Sequence, residues 1–125
     1  MGHVNNAVYF TYFEVSREHY VRALGNDLPP GAALEQQFPF ILLDVSCRFL
    51  AAATYGQRLR AHVRTVGIGT KSFEFEYLIT RPEPDDRPIA VGRSTQVSFD
   101  YGAQRTRPVP AELRSAIEEL EQRSF

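Results

Sequence analysis

Between residues 4 and 24 the chain has neither glycine nor proline, and Tyr9, Tyr12, Phe13, Tyr20 and Leu24 recur there at helical spacing, with Ser16 filling one turn of the same face. The pattern predicts a long helix. Asn5 or Asn6 suits its N-cap, because a side-chain oxygen there accepts from backbone N–H groups one turn on, and Gly25 supplies the left-handed residue that closes such helices. A stripe carrying that much ring surface needs a broad cover, and a β-sheet is the natural one. The 125 residues suffice for one core and leave too little for a second, so a single domain over 1–125 is expected.

The rest of the chain supplies the sheet. Pro29, Pro30, Gly31 and Pro39 mark a loop after the helix. Periodicity then turns to alternation, with Ile41, Leu43, Val45, Cys47 and Phe49 on one side and Asp44, Ser46 and Arg48 on the other. Leu59, Ala61 and Val63 oppose Arg58, Arg60, His62 and Arg64. After the Gly67-Ile68-Gly69 corner, Phe73, Phe75, Tyr77 and Ile79 oppose Glu74 and Glu76. Those two segments read as an antiparallel hairpin whose basic and acidic outer side chains pair across strands. Residues 81–88 form a polar, proline-rich turn, and residues 89–99 a last strand with Val91, Val97 and Phe99 on one side. Pro108 and Pro110 introduce a short helix through Leu120, with Leu113, Ile117 and Leu120 as its stripe. One long helix, about four antiparallel strands and a terminal helix make the class α+β.

Composition narrows the function classes. Lys plus Arg total 14 against 15 Asp plus Glu, so no basic field exists to attract nucleic acid. The single Cys47 cannot close an internal disulfide or complete, with the histidines, a clustered zinc site, which points to a reducing, cytoplasmic setting. No apolar run has the length of a membrane span and no signal-like segment opens the chain, so no membrane partner is expected.

The segment Gly2-His3-Val4-Asn5-Asn6, followed by Tyr9, Tyr12-Phe13-Glu14 and Arg17, resembles the signature of the hotdog-fold acyl-CoA thioesterases, the superfamily of 4-hydroxybenzoyl-CoA thioesterase. Phe49, Tyr55-Gly56 and Leu59 resemble that family's strand-turn-strand motif, Gly67 to Phe73 its Gly-x-x-Ser-Phe hairpin, and Gly92-Arg93-Ser94 with Val97 its last strand. Ala52 and Gln57 stand where the family often has Pro and Asp. The resemblance implies a central helix wrapped by a curled antiparallel sheet. It also implies an upstream first strand ending in a catalytic Asp that aligns two residues before Met1, so the chain reads as truncated at its front.

By the same resemblance the activity is hydrolysis of an acyl-CoA thioester to free acid and coenzyme A, with no metal or redox cofactor, in a homodimer or homotetramer with sites between subunits. Asn6 matches the family position whose backbone N–H, at a helix N-terminus, stabilises the thioester oxyanion. His3 is a candidate to orient water, and Glu14, with Glu18 behind it, to replace the absent Asp as general base. Asn5, Tyr9, Tyr12, Phe13 and Phe49 are candidates to contact substrate, and Lys71 and Ser72 to hold the coenzyme A phosphates. Read as residues alone, the asparagines are a cap, the rings are core and the surface cations are solvated. Cys47 reads as buried and inert. The rival to hydrolysis is a noncatalytic module that binds acyl-CoA or serves as an assembly subunit. A hydratase would need an Asp/His pair that this spacing does not provide.

Overall fold

A computed structural model describes residues 7–25, 39–53 and 56–125. The expected caps Asn5 and Asn6, together with His3, Tyr55 and most of the proline-rich loop, lie outside the described residues. Helix α1 spans Val8–Gly25, followed by strands β1 (Phe40–Phe49), β2 (Arg60–Ile68), β3 (Ser72–Arg81), β4 (Arg87–Asp100) and β5 (Arg105–Thr106), and helix α2 (Ala111–Glu121). The main strands run β1-β4-β3-β2, every neighbouring pair antiparallel, and the short β5, which the sequence did not announce, pairs with the end of β4. This is the expected α+β arrangement, a long helix laid on one face of an antiparallel sheet.

The buried face of α1 carries Tyr9, Phe13, Ser16, Tyr20, Val21 and Leu24, the predicted stripe extended by Val21. Opposite it, β3 contributes Phe73, Phe75, Tyr77 and Ile79, all at most 2% exposed. The rings interlock: Phe13 stacks on Tyr77 with centroids 4.5 Å apart, and Tyr20 tilts against Phe75 at 4.8 Å.

In strand β4 Val91, Val97 and Phe99 share one side, as the alternation predicts, but it is the side turned away from α1, where they are only half-buried, while Ala90, Gly92, Ser94, Gln96 and Ser98 are buried on the other. The cause is volume. The rings of α1 and β3 already fill the space over the middle of the sheet, so β4 can offer only small or polar side chains there. At Gly92 the constraint is tightest, since a Cβ would overlap the Phe13 ring and stand 2.6 Å from the Ser46 carbonyl oxygen.

The polar side chains of this row are satisfied, Ser98 by the Pro108 carbonyl (3.4 Å) and the other two through a single chain. Arg17 donates to the Tyr77 hydroxyl (3.0 Å), Tyr77 bonds to Ser94, Ser94 donates to Gln96 Oε1, and Gln96 Nε2 donates to the Phe73 carbonyl (3.0 Å). Burial pushes the Tyr77 phenol above its ordinary pKa, so it stays a neutral donor in this chain.

Strand β1 also departs from strict alternation. Register slips between Leu42 and Asp44, a bulge that leaves Leu43 63% exposed and moves the inward positions to Phe40 before it and Val45 and Cys47 after it. In α2 the buried stripe is Leu113, Ala116 and Ile117, whereas Leu120, expected inside, is 38% exposed. The helix is held at that end by Glu121, whose Oε2 accepts from the Thr65 N–H (2.9 Å) and the Tyr20 hydroxyl (2.6 Å).

The expected cross-strand pairing is present on the outer face. Arg64 donates to Glu76 through Nε (3.0 Å) and Nη2 (2.6 Å), and Arg93 lies 3.5 Å from the same carboxylate.

Replacing Gly92 by Ala should destabilise the fold by about 1–3 kcal/mol, because a rigid sheet and a stacked ring must both give way. Urea unfolding of Gly92→Ala against the parent measures it, and an unchanged midpoint would contradict the close contact. A second test concerns acid. The Arg64 guanidinium foremost, then Arg93, holds the Glu76 carboxyl below its ordinary value of 4.5. This contribution is complete above that value and is lost as pH falls through the lower folded-state pKa. With Arg64 exposed it is worth under about 1 kcal/mol. The stability advantage of the parent over Arg64→Gln should therefore be constant near neutrality and shrink below about pH 4.5, as read by thermal melts across pH.

Candidate functional site

The N-terminal half of α1 gathers the aromatic candidates. Tyr9 packs edge-on against Tyr12 (5.6 Å) and against Phe49 (5.2 Å) at the end of β1. Tyr9 and Phe13, at 2% and 0% exposure, are spent on the core, whereas Tyr12 is half-buried and Phe49 is 41% exposed. Burial, with Tyr12 and Cys47 alongside, raises the Tyr9 pKa, and burial raises that of Cys47, so both stay protonated and neither is an activated nucleophile.

Beside these rings a cleft of about 660 Å³ runs between α1 and β2. Thr11, Tyr12, Val15, Ser16 and His19 form the helix wall; Leu59, Ala61 and Val63, with Gln57 and Ile79, form the sheet wall. Helical geometry explains the first set, since at 100° per residue these five side chains share one flank of α1, next to the buried stripe. The sheet wall recedes at Ala61, the smallest inward side chain of β2. The Ser16 hydroxyl is turned back onto the Tyr12 carbonyl (2.8 Å), so the lining it leaves is mostly apolar.

The remaining candidates are placed elsewhere. Glu14 is exposed on a flank of α1 that does not line the cleft, as is Glu18. Lys71 sits in the β2–β3 turn and Ser72 opens β3, at the opposite end of the sheet from Phe49. Ser72 is level with Val97 and Phe49 with Ala90, seven residues along β4, about 23 Å. The turn's carbonyls are engaged in the fold. Gly69 accepts from Arg114 (2.8 Å), Thr70 from the Val109 N–H (2.8 Å), and Lys71 from the Ser98 N–H (2.8 Å). Asn5, Asn6 and His3 precede the described helix. Among the described residues, no group of three or more His, Cys, Asp or Glu is close enough to hold a metal ion.

Val15 and His19 line the cleft without standing out in the sequence, although Val15 stands one helical turn and His19 two turns along from Tyr12 and Thr11, and that spacing carries the signal. Alternation puts Leu59, Ala61 and Val63 on one side of a strand and carries no sign that this side lines a cleft.

The chain has counterparts among known proteins in sequence and in fold. The sequence matches the model of the thioesterase-like superfamily over residues 1–117. It is 31% identical over 118 residues to the chloroplastic acyl-acyl carrier protein thioesterase ATL2 of Arabidopsis thaliana, a match covering 91% of this chain and 58% of the plant protein, so the chain spans little more than half of that relative. The structure superposes on a thioesterase from Thermus thermophilus, crystallised with coenzyme A and Zn, with a TM-score of 0.82 and 31% identity over 99% of this chain and 85% of the other. A 1,4-dihydroxy-2-naphthoyl-CoA thioesterase from Synechocystis shares the fold with a TM-score of 0.79 at 19% identity, over 96% of this chain and 86% of that one. No helix among the described residues is long and apolar enough to cross a membrane. With its hotdog architecture and a family match running through nearly the whole sequence, the chain belongs to the thioesterase-like superfamily.

Proposed function

We propose that this chain hydrolyses acyl-CoA thioesters to a free acid and coenzyme A. The observation that carries the reading is the likeness, along 99% of the chain, to a thioesterase crystallised with coenzyme A, joined to an apolar cleft beside the helix that bears the signature motif. In this reading the acyl group lies against Tyr12, Val15, Leu59 and Val63, and the thioester carbonyl turns toward the start of α1. Backbone N–H groups of a first helical turn lack intrahelical acceptors, and the helix dipole favours negative charge there, so the developing oxyanion is held without reorganisation. Asn6 is the donor, with Asn5 and His3 beside it to position substrate and water. Glu14, facing away from this chain's own cleft, acts as general base toward a site completed by a second copy. Lys71 and Ser72 meet the phosphates of a ligand that spans the sheet or is held by a neighbouring copy. A lone half-buried thiol suits a reducing compartment, and the cytoplasm is the proposed setting.

A second reading, acyl-CoA binding without turnover, is favoured by one feature. Among the described residues lining the cleft there is no Asp or Glu to serve as base.

Thiol release from coenzyme A thioesters of graded chain length, with calorimetric binding in parallel, separates the two. Turnover supports hydrolysis, and binding without thiol release supports the second reading. Asn6→Pro removes the proposed donor and should lower kcat about 10²–10³-fold while the chain stays folded; unchanged turnover would end that assignment. Val63→Trp fills the cleft and should depress long-chain substrates far more than acetyl-CoA. An equal loss for both would place the acyl group elsewhere.

A further inference from the structure

The sheet face turned away from α1 carries a notch of about 480 Å³ that no part of the proposed reaction uses. Its floor is backbone. Cys47, Gly92 and Tyr77 stand level with one another on β1, β4 and β3; Cys47 and Tyr77 turn their side chains toward α1 and Gly92 has none, so only peptide groups face outward there. Two rows of outward side chains wall the notch, Arg48, Val91 and Leu78 on one side and Ser46, Arg93 and Glu76 on the other, each row in register across the three strands. The span from β1 to β3 is about 10 Å, and the volume is within the range of small-molecule sites, roughly 300–1,000 Å³.

The notch is cationic at one end and apolar at the other. At the β1 end Arg48 is exposed and makes no hydrogen bond or ion pair among the described residues. Arg93 is its diagonal neighbour across the β1–β4 pair, about 7–8 Å away at the level of Cβ, with the Ser46 hydroxyl alongside. The pairings of Arg93 are loose, 3.5 Å to Glu76 and 4.0 Å to Glu74, and its side chain is 61% exposed. Glu76 does not depend on them, because Arg64 already holds that carboxylate at 3.0 and 2.6 Å. Arg93 can therefore turn to an incoming anion without stranding a charge. Toward β3 the wall becomes Val91 and Leu78, and the Glu76 carboxylate stands at the far corner. The floor is pre-formed, since Phe13 abuts Gly92 from behind and stacks on Tyr77, so little ordering is lost on binding.

We propose that this notch is a binding site for a monocarboxylate with a short apolar body, its carboxylate held by Arg48 and Arg93 and its chain laid across Val91 to Leu78. The forked N–H groups of a guanidinium meet both oxygens of a carboxylate. A ligand charged negatively at both ends meets Glu76, and a cation meets the arginines, so the site selects one negative end and one apolar end. It lies on the opposite face of the sheet from the cleft and stands whether or not the chain hydrolyses thioesters.

Octanoate is the probe, titrated into isotope-labelled protein and followed by amide chemical shifts. Shifts at Ser46, Arg48, Gly92 and Arg93 are expected, with a Kd on the order of 1 mM, which is what one charged contact and a shallow apolar floor give a ligand of this size. Arg48→Gln removes half of the clamp and breaks no ion pair, so it should weaken binding about 10-fold or more with an unchanged thermal melt. Val63→Trp, which fills the cleft on the other face, should leave binding at the notch as it is. Octylamine and inorganic phosphate each carry only part of the ligand's chemistry and should bind the notch about 10-fold more weakly or less. An absence of shifts over the notch up to about 20 mM octanoate, indifference to Arg48→Gln, or equal binding by phosphate, which would reduce the site to surface charge, would each overturn the proposal. So would shifts confined to the cleft and removed by Val63→Trp, which would put the acid where the acyl group is proposed to lie.

Discussion

The contact between Phe13 and Gly92 sets where everything else can go. With only a hydrogen on Gly92, the ring lies where a β4 side chain would otherwise stand, and its other neighbour, Tyr77, stacks on it nearly parallel. A planar ring held against a backbone and a second ring fixes both the rotation of α1 and its position along the sheet. Rotation at 100° per residue then assigns every other helical side chain its surroundings. Tyr9, Ser16 and Tyr20 fall on the buried side, and Thr11, Tyr12, Val15 and His19 on the flank that faces β2. The cleft is therefore a consequence of seating the helix at Gly92. Its width depends on what β2 puts opposite, and Ala61 puts very little.

The polar row of β4 makes this seating specific. Ser94 and Gln96 lie under the helix where valine would be the ordinary choice, and each is satisfied through a chain running from Arg17 to the Phe73 carbonyl. A buried polar group left without a partner costs roughly 1–3 kcal/mol, so the chain resists partial disruption. A one-residue slip of β4 would bring Val91 or Arg93 beneath Phe13 and turn the serines outward. The sequence thus excludes the alternative register by volume at one position and by hydrogen bonding at the next two.

The same economy explains what could be read without coordinates. The helix was legible because its large residues, spaced at three and four, face a sheet that cannot match them in size. Phe73, Phe75, Tyr77 and Ile79 were legible by alternation for the same reason. In β4 the rule that apolar residues point inward failed, since the partner elements had filled the interior and Val91 and Val97 took the outer face. In β1 the bulge at Leu43 shifted the alternation part-way along, an event no period-2 pattern announces. Of the candidate contacts, Tyr12 lines the cleft and Phe49 packs on Tyr9 beside Tyr12, while Lys71 and Ser72 belong to the far end of the sheet, a separation along the strands that only the register reveals.

The two faces of the sheet divide the labour along this line. Toward α1, β4 is small and polar so that a ring-bearing helix can sit on it; away from α1, β3 and β4 carry opposite charges and two apolar residues at one level. Alternation means that neither face can be changed without a residue of the other as its neighbour in sequence, yet the side chains never meet. A carboxylate held on the outer face would therefore leave Phe13, Tyr77 and the cleft untouched. A contact along the free edge of β2 would lie at the rim formed by Leu59, Ala61 and Val63. Binding and access to the cleft are coupled only in the second geometry, because there the surface that pairs strands is also the wall of the cleft.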